Sequence, residues 1–174
     1  SLRHEVAGRS LVRPKGAAVS VRVGDVAPGF TLPGTDGTPA GHRDHTLAEY
    51  LGQPVVLVFY PGDNTPVCTR QLNSYTADID AFREVDATVL AISPQSVESH
   101  DQFSADQGGF AFPLLSDTDK EVGRAYGILG PVGFYRRSIF VIDAGGVVRH
   151  AHRAVAGLWF RPTDELVAAV AAAR

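Results

Sequence analysis

The chain contains one cysteine, and its surroundings carry the strongest chemical signal in the sequence. Cys68 follows Thr65 and Pro66, shortly after the continuously apolar segment Val55–Tyr60. Thr65 is a good N-cap, and Pro66 then falls at the first helical position, where its missing N–H costs nothing. Cys68 is therefore predicted at the third residue of a helix, near unpaired backbone N–H groups and the positive end of the helix dipole. Both favour the thiolate, which is the reactive form of cysteine.

The same cysteine also lies on an apolar stripe, which offers a second interpretation. A long helical pattern places apolar residues at three- and four-residue steps, the period of a helix face that packs in a core: Cys68, Leu72, Tyr75, Ile79 and Phe82. Buried cysteines are often inert parts of such a core. Spacing alone leaves the catalytic and the structural interpretation of Cys68 open.

Strands and helices alternate around this motif. Val55–Tyr60 and Thr88–Ser93 are rich in β-branched residues and typical of strands buried on both faces. Helix starts are indicated by capping residues at four further places: Thr46 and Thr118, each followed three residues later by Glu, then Ser96 and Thr163. Ser138–Asp143 and Val147–Ala154 are predicted to form a hairpin. This order predicts an α/β protein with a mixed sheet and helices on both faces.

Composition excludes several classes of function. The chain has 174 residues, which fits one compact domain, and a net charge of −3, which offers no basic surface for nucleic acid. Its apolar stretches are far shorter than the roughly 20 residues of a membrane-spanning helix. A single cysteine excludes an internal disulfide framework and a zinc knuckle, and it suits a reducing compartment such as the cytoplasm. The opening residues Ser1–Arg13 contain no apolar segment of the kind found in secretory signals.

Residues 1–23 lack a sustained hydrophobic period and are predicted to form a flexible arm, with the folded domain spanning 24–174.

From Val23 onward the chain resembles the peroxiredoxin family of AhpC/TSA thiol peroxidases, and most closely its bacterioferritin-comigratory, or PrxQ-like, branch. Pro61, Thr65 and Cys68 form the pattern P-x-x-x-T-x-x-C. Further matching segments are Ala27–Leu32, Val58–Pro61, Phe112–Asp117, Ala125–Gly127 and Arg137–Asp143. The resemblance implies a thioredoxin-like fold, with a central mixed β-sheet flanked by helices and an N-terminal β-hairpin extension.

The resemblance also implies a role for each of four residues. Cys68 would be the peroxidatic nucleophile, which attacks a peroxide oxygen and becomes a sulfenic acid. Thr65 would hydrogen-bond the thiolate and the peroxide, and Pro61 would shield the sulfur from water. Arg137 would stabilise the thiolate and the charge on the leaving oxygen, since a guanidinium keeps its proton. Strand alternation lets only one of Arg136 and Arg137 face the sulfur, and the register favours Arg137.

Each of these roles has a structural alternative. Thr65 serves equally well as a helix cap, and Pro61 as a loop former. Arg137 is also placed to pair with a surface carboxylate. His150 and His152 share a strand face, but with no third ligand apparent a solvated face is the favoured interpretation. No metal and no cofactor is predicted.

The chain departs from the family pattern at two positions. Asn73 stands where many members of this branch carry a resolving cysteine, so an internal disulfide cannot form. Oxidised Cys68 must then be reduced by an external thiol (thioredoxin, a glutaredoxin-like protein or a low-molecular-weight thiol), or pair with Cys68 of another chain. Gln71 stands where the family commonly has Glu. The glutamine can still form hydrogen bonds but lacks the negative charge of a glutamate. The chain is expected to be a monomer or a homodimer.

The leading hypothesis is a one-cysteine thiol peroxidase acting on hydrogen peroxide or small organic hydroperoxides. A thiol–disulfide oxidoreductase is disfavoured, because the segment Thr65–Cys68 lacks the first thiol of a Cys-x-x-Cys site. A redox sensor or binding module with the same fold, signalling through mixed disulfides of Cys68, stays open as the alternative. Neither nucleic acid nor a membrane is an expected partner.

Overall fold

The computed structural model describes residues 20–39, 41–154 and 159–174. Their strands are β1 (Thr31–Thr35), β2 (His42–Thr46), β3 (Val55–Phe59), β4 (Thr88–Ser93), β5 (Leu114–Ser116), β6 (Ser138–Ile142) and β7 (Val148–Arg153). Their helices are α1 (Leu47–Tyr50), α2 (Pro66–Ala77), α3 (Ile79–Glu84), α4 (Val97–Asp106), α5 (Glu121–Ala125) and α6 (Thr163–Ala172). Within these ranges no helix is long and apolar enough to span a bilayer.

The strands form one mixed sheet in the order β2-β1-β5-β4-β3-β6-β7. The central strands β3, β4 and β5 are parallel, while β6 runs antiparallel to β3 and β1 antiparallel to β5. The antiparallel pair β1–β2 forms a hairpin at one edge, and β6–β7 closes the other. The predicted α/β class, with its mixed sheet and N-terminal hairpin, is confirmed.

Strand β3 divides the core into two halves, because all five of its residues are fully buried. Val56 and Val58 pack into a cluster with Leu72 and Tyr75 of α2, while Leu57 packs on the opposite face of the sheet with residues of α1 and α5. Fully burying a side chain of this size contributes roughly 1.5–3 kcal/mol. Helix α2 is therefore fixed against the centre of the sheet.

The long helical stripe is divided in two, which the sequence pattern did not predict. Helix α2 ends at Ala77 and α3 begins at Ile79, with Asp78 between them in a non-helical conformation. The Asp78 carboxylate accepts a hydrogen bond from Thr163 Oγ1 at 2.8 Å. Thr163 was predicted as the cap of the last helix but is its first residue, and Pro162 occupies the N-cap. A contact between distant segments thus replaces the local cap.

The predicted capping boxes have different outcomes. The box at Thr46 and Glu49 is present, and Ser96 accepts a hydrogen bond from the Ser99 backbone N–H as predicted. The box at Thr118 was wrong, because Lys120 occupies the N-cap of α5 in a left-handed conformation. The carboxylate of Asp117 supplies the missing acceptors from outside the helix.

Residues 1–19 of the predicted arm lie outside the described residues. Residues 21–24 pack against β7: Val21 is buried, and its carbonyl accepts a hydrogen bond from Arg153 Nη2 at 2.7 Å. The backbone N–H of Gly24 donates to the Val148 carbonyl at 2.7 Å. The division into an arm 1–23 and a domain 24–174 stays a prediction.

Asp117, directly after β5, is a fully buried carboxylate that joins three segments. It accepts hydrogen bonds from the backbone N–H groups of Val122 at 3.1 Å and Gly123 at 2.8 Å, and from the hydroxyl of Tyr135. Burial, reinforced by the carboxylate, raises the pKa of Tyr135 far above its ordinary value, so the hydroxyl remains a donor. Asp117 therefore holds the start of α5 and the segment that leads into β6.

We predict that Asp117→Ala lowers the free energy of unfolding by about 2–4 kcal/mol, because three buried donors lose their acceptor. Asp119→Ala is the matched control, since that exposed carboxylate caps a single backbone N–H, of Glu121. Its loss should stay near 1 kcal/mol or below. Urea denaturation of both variants measures the difference. Equal losses would contradict the structural role given to Asp117.

Candidate functional site

The site lies where β3 leads into α2. Thr65 occupies the N-cap of α2 in an extended conformation, Pro66 is the first helical residue, and Cys68 is the third, as predicted. The Thr65 hydroxyl does not cap the helix but donates to the Gly62 carbonyl at 2.8 Å. This bond closes the loop on itself, while the Thr65 carbonyl accepts the first helical hydrogen bond, from the Thr69 N–H at 2.9 Å.

Cys68 is fully buried and packs in the same cluster as Val58, Leu72 and Tyr75. The predicted position of Cys68 on the apolar face of the helix is therefore confirmed. That position does not separate the two interpretations of Cys68, because a buried sulfur can still have a polar neighbour. The neighbour comes from a segment far along the chain.

Arg137 supplies that polar neighbour. It directly precedes β6, and the pairing of Ser138 with Phe59 brings it beside the end of β3. Its Nη2 donates to Cys68 Sγ at 3.2 Å, and Arg137 is only 4% exposed, whereas Arg136 is exposed. The structure thus turns Arg137, and not its neighbour, toward the sulfur. A guanidinium withdrawn from water acts on a neighbouring group far more strongly than one at the surface.

A chain of hydrogen bonds extends from the guanidinium along α2. Arg137 Nη1 donates to Gln71 Oε1, Gln71 Nε2 donates to the Tyr75 hydroxyl at 3.3 Å, and Tyr75 donates to the Arg161 carbonyl at 2.6 Å. Burial raises the pKa of Tyr75 to about 12, so its hydroxyl keeps the proton that it donates. The Arg161 carbonyl thus holds Tyr75, Tyr75 holds Gln71, and Gln71 orients the Arg137 guanidinium.

Gln71 and Tyr75 are site residues that the sequence pattern did not predict. Gln71 was noted only as a departure from a family pattern, and Tyr75 only as a core residue. Their spacing from Cys68, three and seven positions, places all three on one face of a helix. The available signal in the sequence was a glutamine on an otherwise apolar helix face; the structure shows that Gln71 is fully buried, and a buried amide needs partners.

Three other residues noted in the sequence lie apart from the Cys68–Arg137 contact. Pro61 is exposed at the start of the loop, and its shielding role stays a prediction. Asn73 Nδ2 donates to Gln107 Oε1 at 2.9 Å, at the end of α4. His152 lies 3.5 Å from an Arg161 nitrogen, and among the described residues no cluster of three acidic, histidine or cysteine side chains could hold a metal ion.

The sequence matches a known family and is similar to known proteins over most of its length. The model of the AhpC/TSA family matches residues 23–151. Peroxiredoxin Bcp of Xanthomonas campestris is 37% identical over 123 residues, covering 67% of this chain and 76% of that protein.

Solved structures are similar over most of the fold. AhpC of Mycobacterium tuberculosis has a TM-score of 0.81 at 26% identity, covering 88% of this chain and 93% of that one. A PrxQ mutant from Xylella fastidiosa has a TM-score of 0.75 at 30% identity, covering 88% and 98%. These likenesses confirm the predicted thioredoxin-like fold.

We predict that Gln71→Leu lowers the free energy of unfolding by about 1–3 kcal/mol, because the buried hydrogen bond from Arg137 Nη1 to Gln71 Oε1 is lost. Gln71→Glu keeps an acceptor oxygen at the same place and should lose less. Chemical denaturation of the two variants side by side measures the difference. A Leu variant as stable as the Glu variant would show that the hydrogen bond does not hold Arg137.

Proposed function

The chain belongs to the AhpC/TSA family of peroxiredoxin thiol peroxidases, and we propose that it reduces hydrogen peroxide and small organic hydroperoxides through Cys68 alone. One observation carries the proposal: a buried guanidinium nitrogen of Arg137 lies 3.2 Å from Cys68 Sγ. An opposite charge at this distance stabilises a thiolate relative to a thiol. The thiolate is the form that attacks a peroxide oxygen.

The reaction is a displacement at oxygen. The Cys68 thiolate forms an S–O bond, the O–O bond breaks, and the departing hydroxide or alkoxide takes up a proton to leave as water or an alcohol. The sulfur loses two electrons and becomes a sulfenic acid. Negative charge moves from sulfur to the departing oxygen, and a fixed cation beside that path stabilises the transition state more than the bound substrate.

We assign Thr65 the role of an acceptor for the substrate. Its hydroxyl proton is donated to the Gly62 carbonyl, so the Thr65 oxygen faces a peroxide O–H as an acceptor. Such a bond orients the peroxide without competing for the thiolate. Pro61, at the exposed rim of the same loop, is proposed to limit access of water to the sulfur.

Recycling requires an external thiol, because the sequence contains no second cysteine. That thiol attacks the sulfenic sulfur, releases water and leaves a mixed disulfide, which a second thiol resolves to regenerate Cys68. Cys68 is fully buried, so the start of α2 must open before a protein thiol can reach the sulfur. We propose a thioredoxin-type or low-molecular-weight donor in the reducing cytoplasm.

The same lack of a second thiol favours one alternative, a redox sensor. Without an internal partner the oxidised form persists until an external thiol arrives, which is what a sensor needs. The two functions differ in turnover: a peroxidase consumes peroxide repeatedly when a reducing thiol is present, whereas a sensor stops at one captured disulfide.

We predict that Cys68→Ser folds normally and consumes no peroxide, since a serine hydroxyl is a poor nucleophile at neutral pH. In the native protein, one equivalent of hydrogen peroxide should add one oxygen to Cys68, and dithiothreitol should remove it. Intact-protein mass spectrometry after rapid quenching follows both steps. Oxidation of the native protein at the rate of free cysteine would refute the peroxidase assignment.

We predict that Arg137→Ala slows oxidation of Cys68 by roughly 10²–10³-fold, the usual cost of removing a donor aimed at developing charge. Arg136→Ala is the matched control, since this neighbouring arginine is exposed, and its rate should stay within about threefold of the native rate. Stopped-flow oxidation and the ultraviolet absorbance of the thiolate provide two readouts. If the Arg136 variant were the slower one, the assignment would move to Arg136.

A further inference from the structure

A buried carboxylate and a buried imidazole meet beneath the loop that precedes α2. Asp63 lies in this loop, two residues before Thr65, and His100 lies on α4. Asp63 Oδ2 is 2.8 Å from His100 Nδ1, and their side chains are 2% and 0% exposed. Neither residue has a place in the chemistry derived above.

Both ring nitrogens of His100 have hydrogen-bond partners. Nε2 is 3.0 Å from the Leu115 carbonyl, which only accepts, so Nε2–H is the donor. Nδ1 is 2.8 Å from Asp63 Oδ2 and 3.3 Å from the Tyr60 hydroxyl. Asp63 and His100 therefore form a buried hydrogen-bonded pair that depends on both members.

Two further donors complete the surroundings of Asp63. Oδ1 accepts from the Tyr60 hydroxyl at 2.7 Å, and Oδ2 accepts from Ser99 Oγ at 2.7 Å. Burial raises the pKa of Tyr60 well above its ordinary value, so this hydroxyl stays a donor. Asp63 thus connects the loop to the end of β3, to α4 and, through His100, to β5.

The rest of the loop has little buried attachment. Pro61 and Asn64 are exposed, Gly62 is buried but has no side chain, and the bond from Thr65 to the Gly62 carbonyl stays within the loop. Asn64 has a positive φ of 56°, a conformation that costs a residue other than glycine free energy. Contacts with the rest of the protein must hold such a loop in place, and the Asp63 side chain makes them through its hydrogen bonds to Tyr60, Ser99 and His100.

We propose that Asp63 and His100 are positioning residues for Cys68: the hydrogen bond between them anchors the loop that sets where α2 begins. The proposal rests on the proposed function in so far as Cys68 is the reacting group. A loop released from this anchor lets the first turn of α2 move relative to Arg137. A misplacement of about 1 Å at a reacting group costs about 10²-fold in rate.

The test compares two reactions of the same sulfur. In Asp63→Ala and His100→Ala, oxidation by hydrogen peroxide should slow by at least about tenfold, because Sγ leaves its place beside Arg137. Alkylation by iodoacetamide should accelerate by at least about tenfold, because opening of the loop exposes a cysteine that is fully buried. Circular dichroism at the assay temperature will show whether the variants remain folded. In a folded variant, general destabilisation does not slow oxidation while it accelerates alkylation.

The chain offers a matched control and a conservative variant. His45 is also buried and has both ring nitrogens engaged, 2.5 Å from the Tyr50 hydroxyl and 2.8 Å from the Thr35 carbonyl. It lies on β2, separated from β3 by three strands, so His45→Ala should leave both rates unchanged. In Asp63→Asn the side-chain amide can still hydrogen-bond His100 Nδ1, and both rates should remain within about threefold of native.

Native rates of both reactions in the folded Asp63→Ala and His100→Ala variants would overturn the proposal. So would an Asp63→Asn variant as impaired as Asp63→Ala. If neither alanine variant folds, His100→Leu fills most of the space of the ring while it removes the bond to Asp63, and native rates of both reactions in that variant would contradict the anchor. A native protein that reacts with peroxide only as free cysteine does would refute the proposed function, while the alkylation rates would still decide whether Asp63 and His100 hold the loop.

Discussion

A buried positive charge beside a buried sulfur is the constraint on which this structure depends. Withdrawing a guanidinium from water costs several kcal/mol unless hydrogen bonds replace its hydration. Cys68 and Gln71 both accept from Arg137, and Tyr75 holds Gln71 in turn. These contacts require α2, β6 and the segment before α6 to keep a common register. The pairing of β3 with β6 and the packing of α2 on β3 provide it.

Two buried carboxylates support the two halves of the site in the same way. Asp63 follows β3 and holds the loop that leads to Cys68, while Asp117 follows β5 and holds the segment that leads to Arg137. Both stand at the carboxyl ends of parallel strands, the edge where open α/β sheets carry their functional groups. Each gathers hydroxyl or backbone donors that would otherwise be buried without a partner.

The burial of Cys68 has opposite consequences for the two halves of the proposed cycle. A dry site strengthens the attraction between the guanidinium and the thiolate, which favours oxidation by a small peroxide. The same burial keeps a protein thiol away from the oxidised sulfur until α2 opens. Asn73, where a resolving cysteine would shorten this route, is hydrogen-bonded to Gln107 at the end of α4. The anchors of the loop therefore influence both steps.

Local patterns in the sequence determined the elements and the place of Cys68 on them. Strand β3, the helix start at Pro66, the Thr46 box and the Ser96 cap depend on neighbouring residues and were predicted from them. Local patterns did not determine what surrounds the sulfur: Arg137 was expected there only from the family resemblance, and the tertiary structure alone decided its contacts. Arg137 is 69 positions from Cys68, and His100 is 37 from Asp63, so no local period relates them. The same reason explains the break at Asp78 and the capping of α5 by Asp117. In each case a buried polar group found its partner in a segment that only the folded sheet brings near, because in the core it has no water to bond instead.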